Sequence, residues 1–186
     1  MENAPRRWEY ISYTLSSREA SMPATAVHVT LQRLFSELAD GVAAGEAAYI
    51  LNSGDDGLLR SLDKVPAADA SRAVDGGATI AAHAQHLRYS LSLMNRWASE
   101  GGNPFADATW GEAWKVADVN ESQWNEIRRG LGDESHRWLG ALGSPREIPE
   151  TELAGLIASV AHTAYHLGAI RQIERRARGP KEGSSA

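Results

Sequence analysis

The stretch that decides the fold is residues 151–178, TELAGLIASVAHTAYHLGAIRQIERRAR. Its apolar residues recur every three or four positions, which is the spacing of a helix with a buried face. His162 and His166 are four residues apart, so their side chains project from one face about one turn apart. The same face carries apolar residues: Leu156, Val160, Leu167 and Ile170. The two histidines are therefore expected to point into the protein.

Spacing alone allows two interpretations of this histidine pair. Two imidazoles one turn apart on a helix can hold one metal ion between them. A buried histidine can equally be a core residue whose ring nitrogens are satisfied by hydrogen bonds. Chance also contributes, since 6 histidines in 186 residues predict roughly 0.2 such pairs. The two interpretations stand about equal on this pattern.

Length and composition favour one globular domain. The 186 residues, 42% apolar and 23% charged, are ordinary for such a domain. No apolar run approaches membrane-spanning length and the first residues lack the apolar core of a signal peptide, so we expect a cytoplasmic protein without a membrane partner. The absence of cysteine excludes disulfides, thiolate ligands and a cysteine nucleophile. A net charge of −5 disfavours nucleic acid as a partner.

The N-terminal part divides into an extension and the start of the domain. Residues 1–22 are polar and aperiodic, so we expect a flexible extension, followed by a domain over residues 23–179 and a tail over residues 180–186. The first helix is expected to begin between Pro23 and Thr25. Its apolar stripe consists of Val27, Leu31, Leu34, Phe35, Leu38 and Val42.

The region after this stripe contains a break and two acidic residues. His28 borders the stripe and is predicted to lie at the edge of the helix. We expect the helix to continue up to residue 51, to break over residues 52–57 and to resume over residues 58–62. Asp55 and Asp56 lie in the break, and turn and cap positions explain them better than a paired-carboxylate site.

Two more long helices are expected in the middle of the chain. The second, residues 79–99, starts at the N-cap residue Thr79 and has two adjoining apolar strips, which predict two packed neighbours. Asn120 and Gln123 have the spacing of a capping box that opens the third helix. His136 on that helix is predicted to face solvent.

The connection between these two helices, residues 101–119, shows no regular period. Its apolar content is aromatic: Phe105, Trp110 and Trp114. We interpret this connection either as a lid or pocket wall or as a cap over the end of the helices.

The last helix is expected to begin near residues 149–151 and to end at residues 179–180. Cations cluster at its end: Arg171, Arg175, Arg176, Arg178 and Lys181. We interpret them as complementing the negative end of the helix dipole, with a phosphate-binding patch as the alternative. Together the four amphipathic segments predict an all-α fold, a four-helix bundle with a long connection between the second and third helices.

Two strings in these helices resemble the DinB-like (DinB/YfiT-like) superfamily of metal-dependent proteins. They are HTAYHLGAIRQI, residues 162–173, and GGATIAAHAQHLRYSL, residues 76–91, and the likeness covers most of residues 23–178. The resemblance implies a metal site in which a histidine of the second helix, His86, joins His162 and His166 of the fourth.

Periodicity and resemblance disagree about the third ligand. His83 lies nearer than His86 to the centre of the apolar stripe of the second helix, so burial alone favours His83. The two positions differ by nearly one turn of helix, and a full turn rises about 5.4 Å, whereas metal–nitrogen bonds are near 2.1 Å. We follow the resemblance and predict His86, His162 and His166 as the metal ligands.

The predicted site suggests a metal-dependent reaction on a small molecule. Three neutral imidazoles leave at least one position of a divalent zinc, nickel or iron ion open to water or substrate. The resemblance implies either a hydrolase or an enzyme that transfers an external low-molecular-weight thiol to an electrophile. The catalytic group would then be water or thiol on the metal, and no protein residue is identified as the general base, because Glu174 lies about 120° around the helix from His162.

Two alternatives remain beside this hypothesis. A Ser159–His162 nucleophile pair is disfavoured, because no G-x-S-x-G turn surrounds the serine. The rival from another class is a non-catalytic stress-response bundle that binds a metal or a ligand without turnover. A homodimer is kept as an open alternative to a monomer.

Overall fold

The computed structural model describes residues 24–144 and 148–181, and every regular element in these ranges is helical. This result confirms the all-α prediction. The α-helices in chain order are α1 Ala24–Asp40, α2 Gly57–Asp63, α3 Ala67–Ala70, α4 Ile80–Glu100, α5 Trp110–Ala113, α6 Glu121–Gly143 and α7 Glu150–Ile173. A short 3₁₀ turn, Arg175–Ala177, follows α7.

The four long helices α1, α4, α6 and α7 contribute most of the buried apolar residues of the core. Helices α6 and α7 each pack against both α1 and α4. The largest side chains with almost no exposed surface come from α1 and α6: Phe35, Trp124 and Trp138. Aromatic side chains bury the largest apolar areas, so these three contribute much of the free energy of folding.

Local capping chemistry sets where α4 and α6 begin. The Thr79 hydroxyl accepts a hydrogen bond from the Ala82 backbone N–H at 3.1 Å. Asn120 and Gln123 each accept the backbone N–H of the other at 2.9 Å, which completes the predicted capping box. Both predicted helix starts are confirmed. The cap therefore fixes the residue at which α4 begins, and α4 carries His83 and His86.

Helix α1 ends earlier than the sequence pattern predicts. It stops at Asp40, and Gly41 follows in the left-handed region with φ 86°. Residues up to 51 were expected to be helical, but the backbone N–H groups of residues 49–51 donate to the buried carboxylate of Glu37 instead. Glu37 accepts hydrogen bonds from Ile50 and Leu51, each at 2.5 Å. This contact between distant parts of the chain outweighs the local helical pattern.

Asp55 ties the loop after α1 to the end of α7. Its carboxylate accepts the Gly57 N–H at 2.8 Å and forms two hydrogen bonds with the Arg171 guanidinium, at 2.6 and 3.0 Å. The Asp56 carboxylate pairs separately with Arg60 and Lys64. Asp55 therefore has the turn role that the sequence favoured, whereas Asp56, at the N-cap position of α2, makes no capping hydrogen bond with its side chain and forms ion pairs instead.

Helix α7 is shorter than predicted at its C-terminal end. It ends at Ile173, and Glu174 leaves the helical conformation with φ −128°. The Glu174 carboxylate accepts the backbone N–H of Arg176 at 2.9 Å and contacts the Arg176 guanidinium. A side chain that satisfies the backbone in a turn competes with continued helix. Part of the basic cluster is thus engaged in ion pairs instead of facing the helix end.

Two histidines outside α4 and α7 can be compared with their predictions. His136 on α6 is exposed as predicted, and it contacts Asp40 at 3.0 Å. His28 is not at a helix edge; it is buried, and its Nδ1 atom lies 2.8 Å from the Leu142 carbonyl oxygen of α6. The edge prediction was wrong because the chain places α6 against this side of α1.

Helix α7 is apolar on more than its buried side. Ile157 and Tyr165 are 51% and 68% exposed, and an 18-residue window within Glu152–Ile173 has a mean hydropathy of 1.3. By length and composition it could cross a membrane, which corrects the expectation that no apolar segment reaches that length. Core helices of globular proteins meet the same criterion, and α7 packs on α1 and α4.

Candidate metal centre

The three predicted ligands lie together between α4 and α7. His86 is on α4, and His162 and His166 are one turn apart on α7. His86 and His166 are buried, and His162 is half-buried. One ring nitrogen from each side chain lies within 4.8 Å of the other two, which is close enough for a single ion to bind all three.

The histidines meet through the Nε2 atoms of their rings. The His162 Nε2 atom lies 3.2 Å from the His86 Nε2 atom and 2.9 Å from the His166 Nε2 atom. His162 is therefore the centre of the group. It is also the most exposed of the three rings.

Burial keeps this group of imidazoles uncharged at neutral pH. Desolvation, with repulsion from the neighbouring rings, lowers the pKa of His86 to about 4 and the pKa of His166 to about 3. Burial also lowers the pKa of His83 and of His162. A neutral imidazole has a free lone pair on one nitrogen, which is the form that binds a metal.

The Nδ1 atoms of the same rings have unequal partners. The His162 Nδ1 atom lies 3.4 Å from the Ser90 hydroxyl, and the His166 Nδ1 atom lies 2.8 Å from the His83 Nδ1 atom. The His86 Nδ1 atom is buried without a hydrogen-bond partner. The Nδ1 atoms of two of the three rings thus have a neighbour within hydrogen-bonding distance.

Tryptophans from the connection between α4 and α6 cover the His86 side of this group. The Trp114 ring stacks on His86 with centroids 4.4 Å apart and planes inclined by 24°. Trp110 also approaches His86, at 5.9 Å, and stacks on Phe105. Both tryptophans are more than one-third exposed. These contacts agree with a wall beside the histidines, one of the two interpretations drawn from the sequence.

Two other residues considered from sequence take structural roles. The Ser159 hydroxyl accepts the Trp138 indole N–H at 3.0 Å and donates to the Leu156 carbonyl oxygen at 2.7 Å. It is therefore committed to the core instead of to His162. Glu174 is surrounded by Arg72 and Arg176, and the hydrogen bonds from Arg176 lower its pKa to about 2. The two arginines therefore balance the negative charge of the Glu174 carboxylate, which lies outside the histidine group.

Sequence reasoning missed the contact between His83 and His166. Periodicity had favoured His83, which lies nearer than His86 to the centre of the apolar stripe of α4, and resemblance had favoured His86. Both side chains are buried to the same degree, each 7% exposed, and both approach α7. The signal was the three-residue spacing of His83 and His86, which places two histidines on neighbouring parts of one helix face.

Comparisons with protein-family models, with curated proteins and with solved structures found no match for this chain.

Proposed function

We propose that this protein binds one divalent metal ion through His86, His162 and His166. The observation that carries the proposal is the convergence of the three Nε2 atoms in a buried group. Lone pairs that face one another repel unless a proton or a cation lies between them. Neutral rings with their Nε2 atoms aimed at a common point are the donor set that zinc, nickel and iron accept.

We further propose that this metal site is open to a small molecule. Three protein ligands are typical of catalytic sites, whereas structural sites usually have four. The half-buried position of His162 and the exposed faces of Trp110 and Trp114 support an approach from solvent beside these rings. In this proposal the tryptophans offer an apolar surface to the substrate and shield His86 from water.

The reaction class that we propose is hydrolysis or the transfer of a low-molecular-weight thiol to an electrophile. A bound divalent ion would supply Lewis acidity, which makes water or a thiol more acidic. The chain itself contributes the orientation of three neutral rings and a largely apolar wall. Among the described residues the hydrogen bonds of these rings include no carboxylate, so proton transfer falls to the substrate, the thiol or solvent.

Metal binding is tested with protein purified without an affinity tag. We expect about one divalent ion per chain, and loss of that ion in His162→Ala and in His166→Ala, because two Nε2 donors cannot replace three. The measurements are elemental analysis and titration with zinc and nickel. His136→Ala is the matched control, since it removes an exposed histidine outside the group. Stoichiometric metal in the His162→Ala/His166→Ala double variant would contradict the proposal.

A second experiment separates an enzyme from the non-catalytic rival. Cobalt substitution followed by water relaxation detects an exchangeable water on the metal, which an open site requires. A screen of thiols with electrophiles, and of hydrolysable esters and amides, then tests turnover. A site closed to water would favour a bundle in which the metal or the histidines only organise the core.

The family, the fold, the location and the partners of the protein are proposed together with the metal site. We propose membership of the DinB-like superfamily and a four-helix bundle, which the packing of α6 and α7 on both α1 and α4 supports. A cytoplasmic location, a small-molecule substrate and a homodimer are predictions that accompany it.

A further inference from the structure

We propose that His83 is a positioning residue, which accepts the Nδ1–H of His166 and thereby holds the His166 Nε2 lone pair towards the metal. This inference rests on the proposed function. It adds a fourth histidine that the resemblance does not assign. Its role is to orient a ligand, and His83 itself is not a ligand.

The direct evidence is the contact between the two Nδ1 atoms. They lie 2.8 Å apart, within hydrogen-bonding distance, and both side chains are buried. On the opposite side of its ring, the His166 Nε2 atom lies 2.9 Å from the His162 Nε2 atom. The two nitrogens of His166 therefore face two different groups, one outward and one into the site.

The chemistry of the imidazole ring determines which nitrogen carries the proton. A neutral ring has one N–H, so a lone pair given to a metal by Nε2 leaves the proton on Nδ1. That Nδ1–H then needs an acceptor, and the His83 Nδ1 atom is the one in contact with it. His83 in turn carries its own proton on Nε2. When a metal is bound, the rings of His83 and His166 therefore have one compatible arrangement of their protons.

The same geometry excludes His83 as a fourth ligand. The group of nitrogens that lie within 4.8 Å of one another contains His86, His162 and His166 but not His83. His83 instead contacts the far side of His166. The Trp114 ring packs edge-on against His83 with centroids 5.3 Å apart, which restricts rotation of the His83 ring. His83 is thus held in place behind a ligand.

The other two ligands have weaker support on their Nδ1 sides. The Ser90 hydroxyl is 3.4 Å from His162, at the outer limit of a hydrogen bond, and the Nδ1 atom of His86 has no partner. His166 therefore has the shortest Nδ1 contact of the three rings. Groups that orient metal-binding histidines typically contribute about 10- to 100-fold in metal affinity, and we expect the loss of His83 to fall in this range.

The test compares zinc affinity in wild type, His83→Phe and His83→Asn by competition with a chelator. Phenylalanine keeps a ring against Trp114 but has no acceptor, whereas the asparagine carbonyl oxygen can stand near the position of the His83 Nδ1 atom. We expect His83→Phe to lose about 10- to 100-fold in affinity and His83→Asn to recover most of it. Urea unfolding of the metal-free variants shows whether packing has changed.

A second readout does not depend on any variant folding. In zinc-loaded wild type, nitrogen NMR should assign the proton of His166 to Nδ1, with slow exchange against solvent. A proton on Nε2 of His166, or equal affinity of His83→Phe and wild type, would overturn the positioning role alone. An equal loss of zinc affinity in His83→Phe and His83→Asn would also overturn the positioning role. If wild type binds no metal, the proposed function and the positioning role both fail.

Discussion

The metal-free protein should lose stability when the pH falls from neutral to about 5. Burial lowers the folded-state pKa of His86 from 6.5 to about 4 and that of His166 from 6.5 to about 3. Below about pH 6.5 these two histidines therefore bind protons in the unfolded chain but not in the folded protein. The resulting stability is fully present above pH 6.5 and is lost as the pH falls towards the folded-state values.

The magnitude follows from the difference in bound protons. Each histidine that is neutral when folded and charged when unfolded costs about 1.36 kcal/mol per pH unit below about 6.5. Between pH 6.5 and pH 5, His86 and His166 together cost up to about 4 kcal/mol, and screening by solvent reduces this to about 2 kcal/mol. His83 and His162 act in the same direction. Even the smaller figure is a large part of a typical folding free energy.

The assay is urea unfolding in the presence of a chelator at several pH values. Replacing His166 by Gln should flatten the dependence of the unfolding free energy on pH, whereas His136→Gln, an exposed control, should not. Glu174 acts in a separate window, because its pKa falls from 4.5 to about 2 and its contribution is lost only below pH 4.5. An unfolding free energy that is constant from pH 7 to pH 5 would refute the reasoning.

Two further predictions concern the ion pair at the end of α7 and the tryptophan that stacks on His86. Arg171→Met should lower the unfolding free energy by about 3–5 kcal/mol, because the buried Asp55 carboxylate loses its partner. Urea unfolding measures this, and a double variant with Asp55→Asn should recover much of the loss; full stability of the single variant would contradict the pairing. Trp114→Ala should cost about 1 kcal/mol through its stack on His86 and should weaken zinc binding, as measured by chelator competition. Trp110→Ala is the comparison, since Trp110 lies farther from His86.

Features that depend on neighbouring residues were predictable from the sequence. Thr79 and the Asn120–Gln123 pair fix helix starts through hydrogen bonds within a few residues, and both starts were predicted correctly. The grouping of the three histidines was also anticipated, because spacing on α7 and the resemblance pointed to the same side chains.

Features that depend on distant residues were not predictable. Helix α1 ends at Asp40 because Glu37 binds backbone groups more than ten residues away. His28 is buried because α6 supplies the Leu142 carbonyl oxygen, 114 residues along the chain. The contact between His83 and His166 likewise depends on how α7 is rotated against α4. Periodicity identifies a buried face, but it does not identify the side chain on the neighbouring helix.

The origin of the histidine group from two helices far apart in the chain has a consequence for biosynthesis. His86 and His162 are separated by 76 residues. At about 5–20 residues per second, the ribosome needs roughly 4–15 s to add the residues between them. By the end of that interval α1, α4 and α6 have been synthesised and α7 is still incomplete, so the apolar surface that α7 covers is not yet buried by it. The nascent chain therefore brings the three histidines together only after α7 has been made.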